Sequence, residues 1–252
     1  MIDAISCETS NYVLTITLSR PEKKNSLTAA MYDRLSDIFE AAENDPEVRV
    51  ILLRAEGDYF TAGNDLHDFM ELSAGGGSEE PAAFRLIRIL GREAKPIVAA
   101  VQGNAVGVGA TLLLHCDLVY ISDNASLIAP FVNLALVPEA ASTLLLPQRI
   151  GHVRAYAMFA LGEPMDAESA LNFGLVNEVL PVDKVCDRAA AATAMLAKKS
   201  VEALAATKRL MRDQFAVAEQ IEQERALFLK QLKSADAIAA FEAFAARSSK
   251  EA

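Results

Sequence analysis

The sequence contains no tryptophan and is poor in cysteine, in histidine and in positive charge. Its three cysteines and three histidines, spread over 252 residues, form neither a CxxC pair nor an HxxxH spacing. We therefore expect no disulfide framework and no metal site. Lysine and arginine number 24 against 34 aspartates and glutamates, which gives a formal charge of −10. An acidic chain without a basic run is a poor ligand for nucleic acid or for an anionic membrane.

Targeting and membrane signals are also missing from the sequence. No uninterrupted apolar run approaches the ~20 residues needed to cross a bilayer. Residues 1–6 lack the basic and apolar regions of a signal peptide, and residues 249–252 do not form a peroxisomal tripeptide. We expect a soluble protein of the cytoplasm.

Apolar residues are plentiful enough for one large core, since 52% of the chain is hydrophobic. The first two-thirds of the chain alternates short β-rich runs with helical patterns. We predict a helix over residues 28–42 and strands near 12–18, 48–53, 96–101, 118–121 and 175–179. Strands that alternate with helices predict an α/β fold with mostly parallel pairing.

From about Val182 onward the pattern is almost wholly helical. Apolar residues recur through the final helices, and they are too many for so short a segment to bury alone; examples are Phe215, Ile221, Phe228, Phe241 and Phe244. We therefore predict a core over residues 1–195 that carries the functional site, and a C-terminal helical oligomerisation region over 196–252.

Two glycine-containing turns, residues 58–66 and 102–111, each follow a predicted strand and precede a helical pattern. Such a turn can direct free backbone N–H groups at an anion or at a developing oxyanion. An ordinary capped loop, or close packing of helix on strand, gives the same spacing. The second turn lacks the GxGxxG spacing and the lysine of nucleotide-binding loops.

Glu139 is the one carboxylate in the apolar stretch of residues 127–147. An isolated acid there is expected to have a raised pKa and to act as a general base. The alternative is a glutamate that starts a helix after Pro138. Neighbours in the sequence are expected to form the apolar walls of its pocket: Phe131, Leu134, Leu136 and Val137.

His115, Cys116 and Asp117 are residue types of a catalytic triad, but three adjacent residues cannot face one another. We expect them to have core or capping roles.

Several segments together resemble the crotonase (enoyl-CoA hydratase/isomerase) superfamily over nearly the whole chain. The motifs lie at residues 19–21 with 24–27, at 60–65, at 103–107, at 116–117 and at 174–179. The resemblance implies an α/β spiral of ββα units with a C-terminal helical region that builds trimers or hexamers. It also implies an acyl-CoA thioester as the substrate, a place in fatty acid metabolism, and no metal or redox cofactor.

Within that superfamily the hydratases use two catalytic glutamates, and here Thr111 and Phe131 occupy the matching positions. The sequence looks more like the peroxisomal-type Δ3,Δ2-enoyl-CoA isomerases, in which a single glutamate moves the proton. That glutamate matches Glu139, although the isomerases often have a glycine where Ala140 and Ala141 follow it here. The resemblance thus implies that Glu139 is catalytic.

By the same resemblance, the backbone N–H groups of Asn64 and Val108 form an oxyanion hole. Acyl-CoA is expected to contact residues in and beside the two turns: Lys24, Ala62, Gly63, Asn64, Asp65, Leu66, Gly107 and Phe131. The glycine-rich segment 73–81 and the helix after it are expected to cover the pocket. Two alternatives stay open, namely an enoyl-CoA hydratase or other crotonase reaction, and a non-catalytic acyl-CoA-binding or interaction module.

Overall fold

Ten strands form across residues 4–73 and 80–251, which the computed structural model of the chain describes. In chain order they are β1 (Ile5–Ser10), β2 (Val13–Leu18), β3 (Val50–Ala55), β4 (Tyr59–Thr61), β5 (Ile97–Val101), β6 (Asn104–Val106), β7 (Leu118–Ser122), β8 (Ser126–Ile128), β9 (Met165–Asp166) and β10 (Glu178–Leu180). The five strands predicted from the sequence are confirmed as β2, β3, β5, β7 and β10, the last of which begins three residues later than expected.

The helices are α1 (Ala29–Glu43), α2 (Leu66–Ser73), α3 (Ala83–Arg92), α4 (Val108–Thr111), α5 (Ser142–Ile150), α6 (His152–Tyr156), α7 (Ala167–Asn172), α8 (Val182–Leu196), α9 (Val201–Met211), α10 (Gln214–Leu232) and α11 (Ala235–Glu251). Side-chain caps start several of them; Thr28 accepts the Met31 N–H at the start of α1. Across the described ranges, no helix combines the length and the apolarity that a membrane span requires. Residues 74–79 of the expected pocket cover lie outside the described residues.

The strands form two sheets. The larger sheet has the order β1-β2-β3-β5-β7-β10, and the smaller has the order β4-β6-β8-β9. Pairing is antiparallel between β1 and β2 and between β8 and β9, and it is parallel elsewhere. The expected α/β class with mostly parallel pairing is confirmed.

Alternate side chains of the central strands enter two separate apolar clusters, as the two-residue period of a strand requires. Ile51 and Ile97 belong to the main core, which α1 and α3 share. Val50 and Val98 belong to a second cluster beneath α8. Burial on both faces explains why the sequences of these strands are continuously apolar.

The C-terminal helices bury much of their own apolar surface against the rest of the chain. Phe228 of α10 meets Phe84 of α3 edge-on, with ring centroids 5.5 Å apart. Ile221, Phe228 and Phe241 are each at most 3% exposed, so the expectation that they need a partner subunit for burial is wrong. Phe215, in contrast, is 90% exposed. The boundary at residues 195 and 196 stays a prediction.

Candidate active site

The two glycine-containing turns leave neighbouring strands and lie side by side. β4 pairs in parallel with β6, so the turns that follow these strands emerge at the same edge of the smaller sheet. Gly63 has φ 86°, and a Cβ added there would lie 2.7 Å from the carbonyl oxygen of Val106. A residue with a side chain does not fit this contact, which brings the first turn against the start of the second.

Each turn presents a backbone N–H group that the fold does not use. The Leu27 N–H donates to Gly63 O at 2.8 Å and the Asp65 N–H donates to Leu27 O at 2.9 Å, so the backbone pairs on either side of Asn64. Val108 is the first residue of α4, where N–H groups have no intrahelical acceptor. Within the described part of the chain, the N–H groups of Asn64 and Val108 have no hydrogen-bond acceptor.

Gly107 directs the second of these N–H groups. Its φ of 57° and ψ of −120° form a conformation that residues with a side chain rarely adopt. No atom lies within 4 Å of a Cβ built at this position. The backbone conformation, and not a lack of space, therefore requires glycine before Val108.

Asp65 ties the first turn to the segment that precedes α1. Its Oδ2 accepts hydrogen bonds from the Arg20 guanidinium at 2.9 Å and from the Ser26 hydroxyl at 3.2 Å, and its Oδ1 accepts the His67 N–H at 3.1 Å. Burial acts to raise the pKa of Asp65, but the hydrogen bonds and the Arg20 charge outweigh it and lower that pKa. Asp65 is therefore a charged anchor of the turn and a poor proton donor.

Glu139 lies in a turn with an unusual backbone, three residues before the first residue of α5. Ala140 and Ala141 have φ values of 64° and 53°, a left-handed conformation that costs about 1–2 kcal/mol for each residue with a side chain. The turn is nevertheless fully buried at both alanines. Surrounding packing and hydrogen bonds must hold it in this conformation.

His115 supplies one of those hydrogen bonds. Its Nδ1 lies 2.7 Å from the Arg212 guanidinium, which can only donate. Nε2 therefore carries the ring proton and donates to the carbonyl oxygen of Ala140 at 2.8 Å. Burial and the Arg212 charge lower the pKa of His115 to about 3, so the ring stays neutral. The expected structural role of His115 is confirmed.

Cys116 and Asp117 also serve the fold. Burial raises the pKa of the Cys116 thiol to about 12, which leaves it unreactive. The Asp117 carboxylate accepts the Ile97 N–H at 2.8 Å and the Lys208 ammonium at 2.8 Å. These contacts confirm that the three adjacent residues do not act as a triad.

Glu139 is 3% exposed, and the two oxygens of its carboxyl differ in their hydrogen bonding. The Thr111 hydroxyl donates to Oε1 at 2.6 Å, whereas Oε2 has no hydrogen-bond partner among the described residues. Burial raises the pKa of Glu139 to about 8, against the lowering effect of the Thr111 bond and with some help from the charge of Glu224. The direction of this shift is the one expected from the sequence.

Glu224 is a second buried carboxyl beside the same turn, and sequence analysis did not find it. Its Oε1 accepts hydrogen bonds from the N–H and the hydroxyl of Thr143, the second residue of α5. Ala141 precedes α5 and has no polar side-chain atom that could cap that helix. Glu224 of α10 therefore caps α5 from a distant part of the chain. Burial raises the pKa of Glu224 to about 7, although these hydrogen bonds lower it.

Tyr32 is a further site residue that sequence analysis did not find. Its hydroxyl donates to the side-chain oxygen of Asn64, next to the free N–H of the first turn. Burial, together with the nearby carboxyls of Glu139 and Asp68, raises the pKa of Tyr32 well above its usual value. Tyr32 is therefore a permanent hydrogen-bond donor that fixes the side chain of Asn64.

A cleft of about 450 Å³, counting the part that is open to solvent, joins the first turn to Glu139; Gly107 and Val108 of the second turn are not among its described lining residues. Asn64, Asp65, Asp68, Tyr32 and Glu139 supply its polar lining. The apolar lining comes from α1, α2, α3, α10 and the segments beside them: Leu27, Leu72, Phe84, Ile87 and Phe228 are its large members. A thioester group and the start of an acyl chain fit such a cleft.

Several residues expected at the site are not among the described residues that line the cleft. The Lys24 ammonium lies on the surface, 5.0 Å from the centre of the Tyr59 ring. Phe131 packs edge-on against Phe159 in the core, with ring centroids 6.4 Å apart, and it is not among the described residues that line the cleft. The same is true of Leu134, Leu136 and Val137, so the expectation that sequence neighbours of Glu139 form the walls is wrong.

The remaining expected contact residues belong to the turns themselves. Ala62 donates its N–H to Lys24 O at 2.8 Å. Leu66 begins α2, and its side chain lies outside the described residues. Among the side chains that the structure describes, no group of three or more histidines, cysteines, aspartates or glutamates is arranged to hold a metal ion.

Comparison with known proteins identifies the class to which this fold and site belong. The model of the enoyl-CoA hydratase/isomerase family matches residues 8–250. The structure is similar to that of an enoyl-CoA hydratase/isomerase from Pseudoalteromonas atlantica T6c, with a TM-score of 0.91 and 38% identity over 97% of this chain and 98% of that chain. The chain belongs to the enoyl-CoA hydratase/isomerase family of the crotonase superfamily, and the expected crotonase fold is confirmed.

Curated relatives include hydratases, isomerases and dehydratases that act on CoA thioesters. The chain is 34% identical over 220 residues to the 2,3-dehydroadipyl-CoA hydratase of Escherichia coli (strain K12), which covers 86% of this chain and 85% of the relative. It is 40% identical over 177 residues to enoyl-CoA delta isomerase 2 of Rattus norvegicus, which covers 67% of this chain and 44% of the relative. The protein is thus an acyl-CoA-processing enzyme of the crotonase superfamily.

Proposed function

We propose that the enzyme moves the double bond of a 3-enoyl-CoA to give the 2-enoyl-CoA. The observation that carries this proposal is the buried Glu139, which lines an apolar cleft together with Asn64 and has one carboxyl oxygen without a hydrogen-bond partner among the described residues. The backbone N–H groups of Asn64 and Val108 also have no acceptor among these residues. The two hydratase positions hold Thr111 and Phe131, neither of which is an acid or a base near neutral pH.

In the first step, the thioester oxygen accepts hydrogen bonds from the N–H groups of Asn64 and Val108. Glu139 Oε2 then removes a proton from the carbon alpha to the carbonyl; the C–H bond breaks, and its electron pair forms an enolate. A carboxylate is too weak a base for an unassisted thioester. Stabilisation of the enolate by the two N–H groups must therefore supply much of the acceleration, about 3 kcal/mol for each group.

In the second step, Glu139 returns the proton to the gamma carbon. The enolate electrons form the new double bond between the alpha and beta carbons as the old double bond takes up the proton, so neither water nor an oxidant is consumed. Thr111 holds Oε1, which leaves Oε2 to move between the two carbons. A pKa of about 8 suits both halves of this cycle, because the group must accept and release a proton near neutral pH.

Burial limits exchange of the transferred proton with solvent. Glu139 is 3% exposed, and no metal or redox cofactor is required by this route. In deuterated water we expect incomplete deuterium incorporation at the gamma carbon on the first turnover. Complete incorporation would contradict direct transfer by the carboxylate.

Hydration of a 2-enoyl-CoA is the second candidate reaction. The observation that favours it is a second carboxyl at the cleft, that of Asp68. Asp68 lines the same cleft as Glu139, and a hydratase needs one group to activate water and another to deliver a proton. The Asp68 carboxylate, however, already accepts the Ala29 N–H at 2.6 Å. We therefore expect hydration to be slow compared with isomerisation.

The decisive test is turnover of a matched panel of 3-enoyl- and 2-enoyl-CoA thioesters, with products identified by mass and by double-bond position. We expect isomerisation by the parent, at least a ~100-fold loss in Glu139→Gln with acyl-CoA binding retained, and near-parental rates in Asp68→Asn. Efficient formation of 3-hydroxyacyl-CoA that Asp68→Asn abolishes would establish the hydratase instead. A parent that binds acyl-CoA but turns over no member of the panel would favour the non-catalytic module.

Assembly and substrate size complete the proposal. We propose a homotrimer, or a hexamer of paired trimers, in the cytoplasm, because the family resemblance implies this assembly and Phe215 of α10 is 90% exposed. Lys24 and Ala62 lie outside the apolar part of the cleft, where the CoA portion of the substrate would extend. The apolar lining formed by Leu72, Ile87 and Phe228 would take the acyl chain.

A further inference from the structure

A second, larger cavity is lined in part by α5, the helix that follows the turn of Glu139. It occupies about 870 Å³, counting the part that is open to solvent, between α5, the end of α9 and the start of α10. Three basic side chains line it, Arg149, Lys208 and Arg212, together with the acids Asp117 and Asp213. A positively charged cavity is unexpected in a chain with a net charge of −10.

The acids in this cavity are already engaged. Asp117 accepts the ammonium of Lys208 at 2.8 Å, and that ammonium also donates to Lys95 O at 3.0 Å. Asp213 caps α10 by accepting two backbone N–H groups at its start, each at 3.0 Å. Asp117 therefore forms an ion pair with Lys208, and its charge also acts on the two arginines, although neither has an ion pair with it among the described residues.

The described hydrogen bonds of both guanidinium groups go to neutral acceptors. Arg149 donates to Leu114 O at 2.8 Å, and Arg212 donates to the neutral His115 ring at 2.7 Å. The Nε atom of Arg212 is buried without a partner. Among the described residues, neither guanidinium has a carboxylate within ion-pair distance. Burial, and then the charge of Arg149, lower the pKa of Arg212 to about 10.

Arg212 is a half-buried cation whose Nε has no partner among the described residues, and the exposed Arg149 lines the same cavity. Burial of a cation without an anion beside it is unfavourable. A guanidinium has five N–H donors in a planar fork that matches the oxygens of a phosphate or a carboxylate. We propose that this cavity is a binding site for a small oxyanion, which is held between Arg149 and Arg212. The ligand class is defined by its charge and by its two or more oxygens.

The proposed site is connected to the catalytic turn through named hydrogen bonds. Arg212 contacts His115, and His115 donates to the carbonyl oxygen of Ala140, the residue after Glu139. Arg149 lies on α5, the helix that begins immediately after the same turn. An anion that binds both guanidinium groups would therefore stabilise the strained turn through these contacts. It would not enter the acyl-CoA cleft.

Inorganic phosphate is the probe for the test, with ionic strength held constant by sodium chloride. We expect the ³¹P resonance of phosphate to broaden when the full-length protein is added, because part of the phosphate is then bound. We also expect it to raise the Tm by about 5–10 °C at 100 times its Kd. Arg212→Met should lose both effects. Arg209→Met, which removes an exposed arginine from α9, should keep them.

Absence of both effects in the parent protein would overturn the proposal. The same conclusion would hold if the effects were absent because another copy of the chain fills the cavity. Effects of equal size in Arg212→Met would also overturn it, because the phosphate would then be bound elsewhere, for example where the CoA phosphates bind. If Arg212→Met does not fold, Arg149→Met replaces it with the same expected loss. None of these measurements uses turnover, so their outcome is independent of the proposed isomerase activity.

Discussion

Replacement of Glu139 by glutamine should make the protein more stable at high pH while it abolishes turnover. The folded protein holds the pKa of Glu139 at about 8, against an ordinary value of 4.5. Between these two pH values the folded chain binds a proton that the unfolded chain has released, so stability falls as the pH rises. Glutamine keeps the shape of the side chain and can still accept the Thr111 hydroxyl, but it has no charge to bury.

The size of the effect follows from the two pKa values. Relative to a glutamate whose pKa stays at 4.5 in the folded protein, the raised pKa of Glu139 lowers the free energy of unfolding by about 1 kcal/mol at pH 5 and by about 5 kcal/mol at pH 9. The stability difference between Glu139→Gln and the parent should therefore widen by about 4 kcal/mol over this range. For a chain of this length, that corresponds to a widening of roughly 10 °C in Tm.

Thermal unfolding at pH 5, 6, 7, 8 and 9, at one protein concentration, would measure this widening. Comparison of the two proteins cancels other groups that titrate in the same range, such as the buried Glu93, whose pKa is also raised by burial. Glu202→Gln, on the exposed side of α9, is the matched control and should follow the parent at every pH. A constant difference between Glu139→Gln and the parent from pH 5 to pH 9 would refute the raised pKa.

Three further predictions concern the site and the assembly. Thr111→Val removes a hydrogen bond that favours the ionised Glu139, so the acid limb of the kcat/KM profile should move to higher pH; an unchanged profile would contradict this. Gly107→Ala should lose most turnover and stay folded, whereas Gly174→Ala, also at positive φ with open space, should affect stability alone. Phe215→Ser should reduce the oligomer seen by light scattering, and a parent protein that is monomeric at micromolar concentration would end the trimer proposal.

Local patterns in the sequence were sufficient for the backbone elements and for the two turns. The apolar runs of β3 and β5, and glycines at positions 63 and 107, are signals contained within a few residues. Glu139 was also found locally, because no other acid lies in the surrounding stretch. The environment of Glu139 could not be predicted from the sequence. Thr111 and Glu224 lie 28 and 85 residues away from Glu139 in the chain, and only the fold brings them near it.

Two of the missed residues nevertheless had a signal in the sequence. Glu224 lies on the apolar stripe of α10, between Ile221 and Phe228 at helical spacing, where a carboxylate is out of place and must find partners. Tyr32 lies on the buried face of α1, where a phenolic hydroxyl needs an acceptor. A polar residue on an apolar helix face thus predicts a buried contact, although the partner is known only from the fold.

The two buried carboxyls beside the catalytic turn differ in what their free oxygens can reach. Each has one hydrogen-bonded and one unpartnered oxygen, and each has a raised pKa because of burial. Glu139 lines the acyl-CoA cleft, whereas Glu224 is not among the described lining residues and holds the start of α5. In the proposed reaction, Glu139 and not Glu224 is therefore the carboxyl that takes a proton from the substrate. Glu224 acts on the reaction through the turn, by fixing its backbone and by the charge that helps to keep the pKa of Glu139 high.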